Sequence, residues 1–169
     1  MSASYTGTSV HTLTQTATHL TDVIMGTIAD ILGTLRMDRT ALYRDWAQDE
    51  AAIKSWLVEQ SLAGVILECH RANGTVDPVV EFPVRYDANG TGSHGFTADR
   101  AALARYRAKL DSVPPGTTHR LICTFRGPHS PQPGWSPGNR ASTTGLSAQR
   151  YGTLGRAPDA TVEMRYLHG

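Results

Sequence analysis

Most of what this chain lacks excludes something. No apolar run approaches the roughly 20 residues that a membrane-spanning helix requires, and no basic start leads into an apolar block. The expected compartment is therefore cytoplasmic. Cysteine is scarce, with only Cys69 in "VILECH" and Cys123 in "LICTF". Without a Cys-x-x-Cys pair, both read as small buried thiols. An excess of one charge is also missing, since sixteen Lys and Arg stand against fifteen Asp and Glu. A net charge of +1 sets up no long-range field for nucleic acid or an anionic membrane. No Gly-x-Ser-x-Gly elbow occurs. Among the seven histidines, His11 and His19 lie eight positions apart, two helical turns rather than one, and show no metal-ligand spacing. Asp45, Asp49 and Glu50 read as the approach to and start of a helix rather than as paired acid and base. These absences leave an enzyme little chemistry, so the expectation is no catalytic residue, no metal and no cofactor.

The residues present describe a folded domain. At 169 residues, 40% hydrophobic and 18% charged, the chain fits one domain with one core. Val10, Leu13, Ala17, Leu20, Ile24, Ile28, Ile31 and Leu35 recur at intervals of three and four, the period of one helix face. This predicts a long helix from Ser9 to Leu35, about 40 Å at 1.5 Å per residue. Five threonines between positions 12 and 21 lower its intrinsic propensity, so its apolar stripe must be packed to hold it. The small polar stretch over residues 1–8 reads as a mobile N-terminus.

A second helix fits residues 49–57, and "LAGVILECHRANGTVDPVVEFPVRY" reads as a hairpin about the Asn73-Gly74 turn. Pro78 and Pro83 make its second strand look like an edge strand. A third helix is expected over 97–111 and a strand over 118–125. Two further strands are expected, at "STTGLSAQ" and "ATVEMRYL". Helices and strands are grouped rather than alternating, so the predicted class is α+β, with three helices on one face of a largely antiparallel sheet. "GTGSHG", residues 90–95, formally matches a dinucleotide fingerprint. It lacks the parallel strand and downstream acidic residue that give the fingerprint its chemistry.

The tail is the unusual part. From Gly127 to Arg140 half the residues are Pro or Gly, yet Trp135 stands among them. Arg126, Arg140, Arg150, Arg156 and Arg165 outnumber Asp159 and Glu163, and with Trp135 and Tyr151 interleaved they suggest a module for single-stranded nucleic acid. A wrapped terminal segment is the plainer reading.

In order and spacing, several segments together resemble the bacterial HORMA domain proteins of antiphage (CBASS) operons. They are the long first helix running into "LYRDWAQDEAAIKSWL", then "LAGVILECH", "VVEFPVRYDANGTGSHGFTAD", "HRLICTF" and above all "PGWSPGNRASTTGLSAQRYG". The resemblance implies a single HORMA domain over 1–169, with residues 9–126 as core and 127–169 as a C-terminal "safety belt". Such a belt closes over a closure-motif peptide, which it holds as an added strand. Trp135, Arg140, Ser142, Thr143, Thr144, Gly145, Leu146 and Gln149 are the expected peptide-binding residues. The implied partners are a cGAS-like nucleotidyltransferase, activated by the closed form, and an AAA+ ATPase that reopens it by engaging Ser2, Ala3, Ser4 and Tyr5. On this reading, deleting Trp135 onward is expected to abolish binding and leave a helical core.

Overall fold

The computed structural model describes residues 2–87 and 95–169, with side chains from residue 12 onward except at 102. The elements run α1 (Ser2–Thr34), α2 (Thr40–Arg44), α3 (Trp46–Glu59), β1 (Leu62–His70), β2 (Val76–Tyr86), β3 (Thr97–Ala98), α4 (Arg100–Arg107), β4 (Thr118–Phe125), β5 (Ser147–Arg156) and β6 (Ala160–His168). The strands form one antiparallel sheet in the order β3-β5-β6-β2-β1-β4. The α+β class expected from the grouping of elements is therefore the observed one.

The threefold and fourfold spacing in α1 does what it predicts. Ala17, Leu20, Ile24, Ile28, Ile31 and Leu35 are all buried. They pack with Ile53 and Trp56 of α3 and with Val65, Leu67, Val80, Phe82, Val162 and Met164 from the sheet. The helical backbone begins at Ser2, ahead of the Ser9 start that periodicity predicts and across the stretch that composition reads as mobile. The opposite face of the sheet carries a smaller cluster, Ile66, Val79 and Leu167, against which Leu146 packs.

Several expectations need correction. The region 49–57 belongs to a longer α3, preceded by the short α2 that capping signals did not reveal. Gln60 closes α3 in the left-handed region, with the Ser61 N–H donating to Trp56 O, a cap built without glycine. The hairpin forms at Gly74, whose φ of +89° suits the turn, but β2 is not an edge strand. It lies between β6 and β1, because its prolines fall where no ladder hydrogen bond is needed. Pro78 sits at the register shift opposite Glu68 and His70, and Pro83 at a gap in the pairing with β6. The helix expected over 97–111 shrinks to Arg100–Arg107, because Thr97 and Ala98 pair with β5.

The tail differs most. No strand covers 142–146: the Ser142 hydroxyl takes the Thr144 N–H, Leu146 N–H returns to Thr143 O, and Gly145 has φ +87°. These local bonds compete with strand pairing. Pairing starts at Ser147, and β6 then lies against β2 in the middle of the sheet. The chain after 146 therefore supplies core side chains, Leu154, Val162, Met164 and Leu167 among them, which a cut at Trp135 would remove. The "GTGSHG" stretch lies outside the described residues apart from Gly95.

Candidate functional site

At the end of the sheet opposite β3, the outer edge of β4 is unpaired along its length among the described residues. The Arg126 N–H donates to Ser61 O, on the β1 side. Backbone groups alternate sides along a regular strand, so the amides and carbonyls of Leu121, Cys123 and Phe125 point away from the sheet. Such an edge is a ready template for an added strand. Among the described residues no strand pairs with it.

The Pro/Gly-rich segment passes around this edge and is pinned on both faces of the sheet. On the helix face it is held by α3. Glu59 accepts hydrogen bonds from Ser130 N at 3.0 and 3.2 Å and from its hydroxyl at 3.1 Å. Trp56 Nε1 donates to Ser130 O at 2.8 Å, and Gln132 donates to Ser55 Oγ at 2.9 Å. On the other face it is held by two carboxylates with almost no exposure, Glu68 and Glu81. Glu68 accepts the Ala141 N–H at 2.6 Å and two bonds from Arg120, at 3.0 and 2.7 Å. Arg120 in turn reaches Asn139 O at 2.9 Å. Glu81 pairs with Arg140 and, at 3.0 Å, with Arg165. Burial alone would favour a neutral Glu68. The Ala141 amide, Arg120 and His70 outweigh it and hold the carboxyl below its usual value.

Between these pins the segment leaves a cleft of about 450 Å³ along β4. Its walls are aromatic. Phe125 and His129 stack at 3.5 Å and 6°, and Trp56 meets Phe125 edge-on at 4.8 Å and Trp135 at 5.4 Å. Gly134 lets the segment lie this close to α3, since it has φ +78° and any Cβ there would collide with the Gln48 side chain. Towards Thr118 the cleft continues past Trp135 to Asp45, the residue before α3, and Asp49 in its first turn. Asp45 is chelated by Arg44. The Asp49 carboxylate has no hydrogen bond or ion pair among the described residues; burial, with Asp45 nearby, pushes it up to about 6.

That shift has a consequence for stability. A carboxyl raised in the folded state favours folding below its unfolded value near 3.8, and that contribution is lost as pH rises through about 6. Asp49→Asn is therefore expected to melt a few degrees above the wild type at pH 8. The gain should shrink below about pH 6 and close near pH 4. Thermal unfolding of both proteins across this range is the check.

Of the residues expected to bind a peptide, only Trp135 lines the aromatic cleft. Arg140 belongs to the rear pin on Glu81. Ser142, Thr143, Thr144 and Gly145 make the turn that leads to β5. Leu146 packs on the rear cluster, and Gln149 pairs with Tyr166 in the sheet. The backbone of Ser2, Ala3, Ser4 and Tyr5 is the start of α1, and their side chains lie outside the described residues. Sequence reading missed Asp49, Trp56, Phe125 and His129 as groove residues. The one local signal was the density of His129, Pro131, Pro133 and Trp135 just after a strand. Both cysteines are free, and burial pushes their thiols upward, Cys69 to about 12, away from a reactive thiolate. No cluster of metal-binding side chains and no helix able to cross a membrane occurs among the described residues.

No curated protein matches this chain in sequence. In fold it is similar to one chain of a mitotic checkpoint complex, at 8% identity over 90% of this chain and 97% of that one, with a TM-score of 0.75. It is also similar to C. elegans HTP-2 bound to the HIM-3 closure motif, at 11% identity over 88% of each chain and a TM-score of 0.68. A third relative is a chain of the E. coli MS115-1 HORMA:CdnC:Trip13 complex, at 12% identity over 92% of this chain and 89% of that one, with a TM-score of 0.61. At such identities the likeness is one of fold. The sequence pattern described as Bacterial HORMA domain 2 matches residues 5–167, nearly the whole length. With that match, helices packed on a single antiparallel sheet and a C-terminal segment strapped around the β4 edge, this chain belongs to that bacterial HORMA domain family.

Proposed function

We propose that the protein is a non-catalytic regulator of antiphage signalling that takes a closure-motif peptide as an added strand on β4, beneath its belt. The observation that carries this reading is the belt itself, pinned to α3 in front and to Glu68 and Glu81 behind, arching over the outward-facing backbone groups of β4. Backbone pairing supplies affinity and the aromatic cleft supplies side-chain selection. HTP-2 bound to a closure motif supports the same mode of binding here.

In the closed state the protein binds and activates a cGAS-like nucleotidyltransferase that makes a cyclic oligonucleotide. An AAA+ ATPase reopens it by pulling on the N-terminal residues Ser2, Ala3, Ser4 and Tyr5. The complex of an E. coli HORMA protein with CdnC and Trip13 supports these partners. The nucleic-acid reading loses ground, because Arg140 and Arg165 are tied to Glu81 and Arg126 lies over the Tyr86 ring.

Affinity purification from phage-infected and uninfected cells tests the proposal, with full-length protein compared against a variant whose residues 132–140 are replaced by a Gly/Ser loop of equal length. The nucleotidyltransferase or the ATPase should be retained by the intact belt alone, and adding intact protein should raise cyclic nucleotide production. Equal retention by both baits, with no effect on nucleotide synthesis, would sink it.

A further inference from the structure

Asp49 is an unexplained cost. It stands in the first turn of α3, where the helix dipole favours a carboxylate, but burial and the neighbouring Asp45 outweigh that benefit and no cation is paired with it. It opens into the same groove as the aromatic cleft, since Leu121 and Trp135 line both. The surrounding cations are already engaged: Arg44 with Asp45, and Arg120 with Glu68. Of the other titratable groups on β4, burial holds His119 towards its neutral form and, with the Asp49 charge nearby, keeps Cys123 a neutral thiol.

The geometry of α3 sets the separation between the two ends. Asp49 and Trp56 lie seven residues apart on its β4-facing side, close to two full turns and about 10 Å along the axis. An extended peptide on β4 rises about 3.3 Å per residue and presents every second side chain to one face. Side chains reaching both ends of the groove are therefore an even number of positions apart, two or four.

We infer that the closure peptide carries a bulky apolar residue seated among Trp56, Phe125, His129 and Trp135, with a lysine or arginine two or four positions away facing Asp49. This rests on the strand-addition reading and specifies its ligand. Charge complementarity fixes the peptide class: the carboxylate left unpaired by the fold is satisfied by the ligand, so its cost in the free protein becomes selectivity in the complex.

The test is selection from a displayed library of random twelve-residue peptides on the full-length protein and on Asp49→Asn, with thermal melts of both at pH 7.5. The wild type should enrich a large apolar residue together with Lys or Arg two or four positions away, about five-fold over background. Asp49→Asn, melting at or above the wild type, should lose that basic preference. Enrichment of apolar peptides with no basic bias, or with the same bias on both proteins, overturns the inference and leaves strand addition standing. If neither protein enriches any sequence, the peptide-binding reading falls and this inference with it.

Discussion

Cutting the chain before Trp135 is expected to leave an unfolded polypeptide rather than a protein without its belt. The truncation removes β5 and β6, and with them the buried Leu154, Val162, Met164 and Leu167. Burying such side chains contributes roughly 1.5–3 kcal/mol each, so four of them approach the whole stability of about 5–15 kcal/mol typical of a domain. The cut also strips β2 of its partner and exposes its edge in the middle of the sheet. Circular dichroism and size-exclusion chromatography should show loss of cooperative melting and aggregation. A soluble, cooperatively melting fragment would mean that the tail strands are not integral to the core. For this reason the loop replacement at 132–140, which spares every strand, is the variant that isolates the belt.

The second large effect is expected from Glu68→Gln. Glu68 is 1% exposed, and its carboxylate holds Arg120, the Ala141 amide and His70 Nε2 at 3.0 Å. Removing one partner of a buried pair costs about 3–5 kcal/mol. Arg120 is partly solvated, so a loss of about 2–4 kcal/mol, or roughly 10 °C in Tm, is expected. The rear pin of the belt should loosen at the same time, so amide exchange over 139–146 should rise more than exchange in α1. The pH dependence has a definite sign. A carboxyl held below its ordinary value stabilises the fold above about 4.5, its unfolded value, and that stabilisation is lost as pH falls through the lower folded value. Wild type and Glu68→Gln should therefore converge in stability under acid. A variant that melts within a degree or two of the wild type at pH 7 would show that the rear face does not hold the belt.

Much of the scaffold was legible because it depends on local periodicity. The apolar spacing in α1 and the alternation in β6 specify which face turns inward, while the Asn73-Gly74 turn and the bounds of β4 specify where elements end, and each was built as the pattern implied. Readings failed where a long-range partner overruled a local signal. Pro78 and Pro83 looked like marks of an edge strand, but β2 became central because a register shift and a ladder gap absorbed the missing donors. Ser142, Thr143 and Thr144 looked like strand residues, but the Ser142 and Thr144 hydroxyls and the Thr143 carbonyl closed a turn first.

The groove was less legible. Asp49 and Trp56 belong to α3, Phe125 to the end of β4, and His129 and Trp135 to the belt. No motif spacing joins residues so far apart, and each alone reads as packing or capping. Glu68 and Glu81, within apolar strands, gave no sign that they would receive the belt. The sequence by itself determined the α+β class, the amphipathic faces and an unusual Pro/Gly-rich tail, because side-chain period and backbone preference act over a few residues. Only the tertiary structure decided that β4 ends the sheet with an open edge, that the tail passes around it, and that one carboxylate there goes unpaired. Those outcomes depend on strand order and on where a loop of some twenty residues finds its two anchors, which no local pattern encodes.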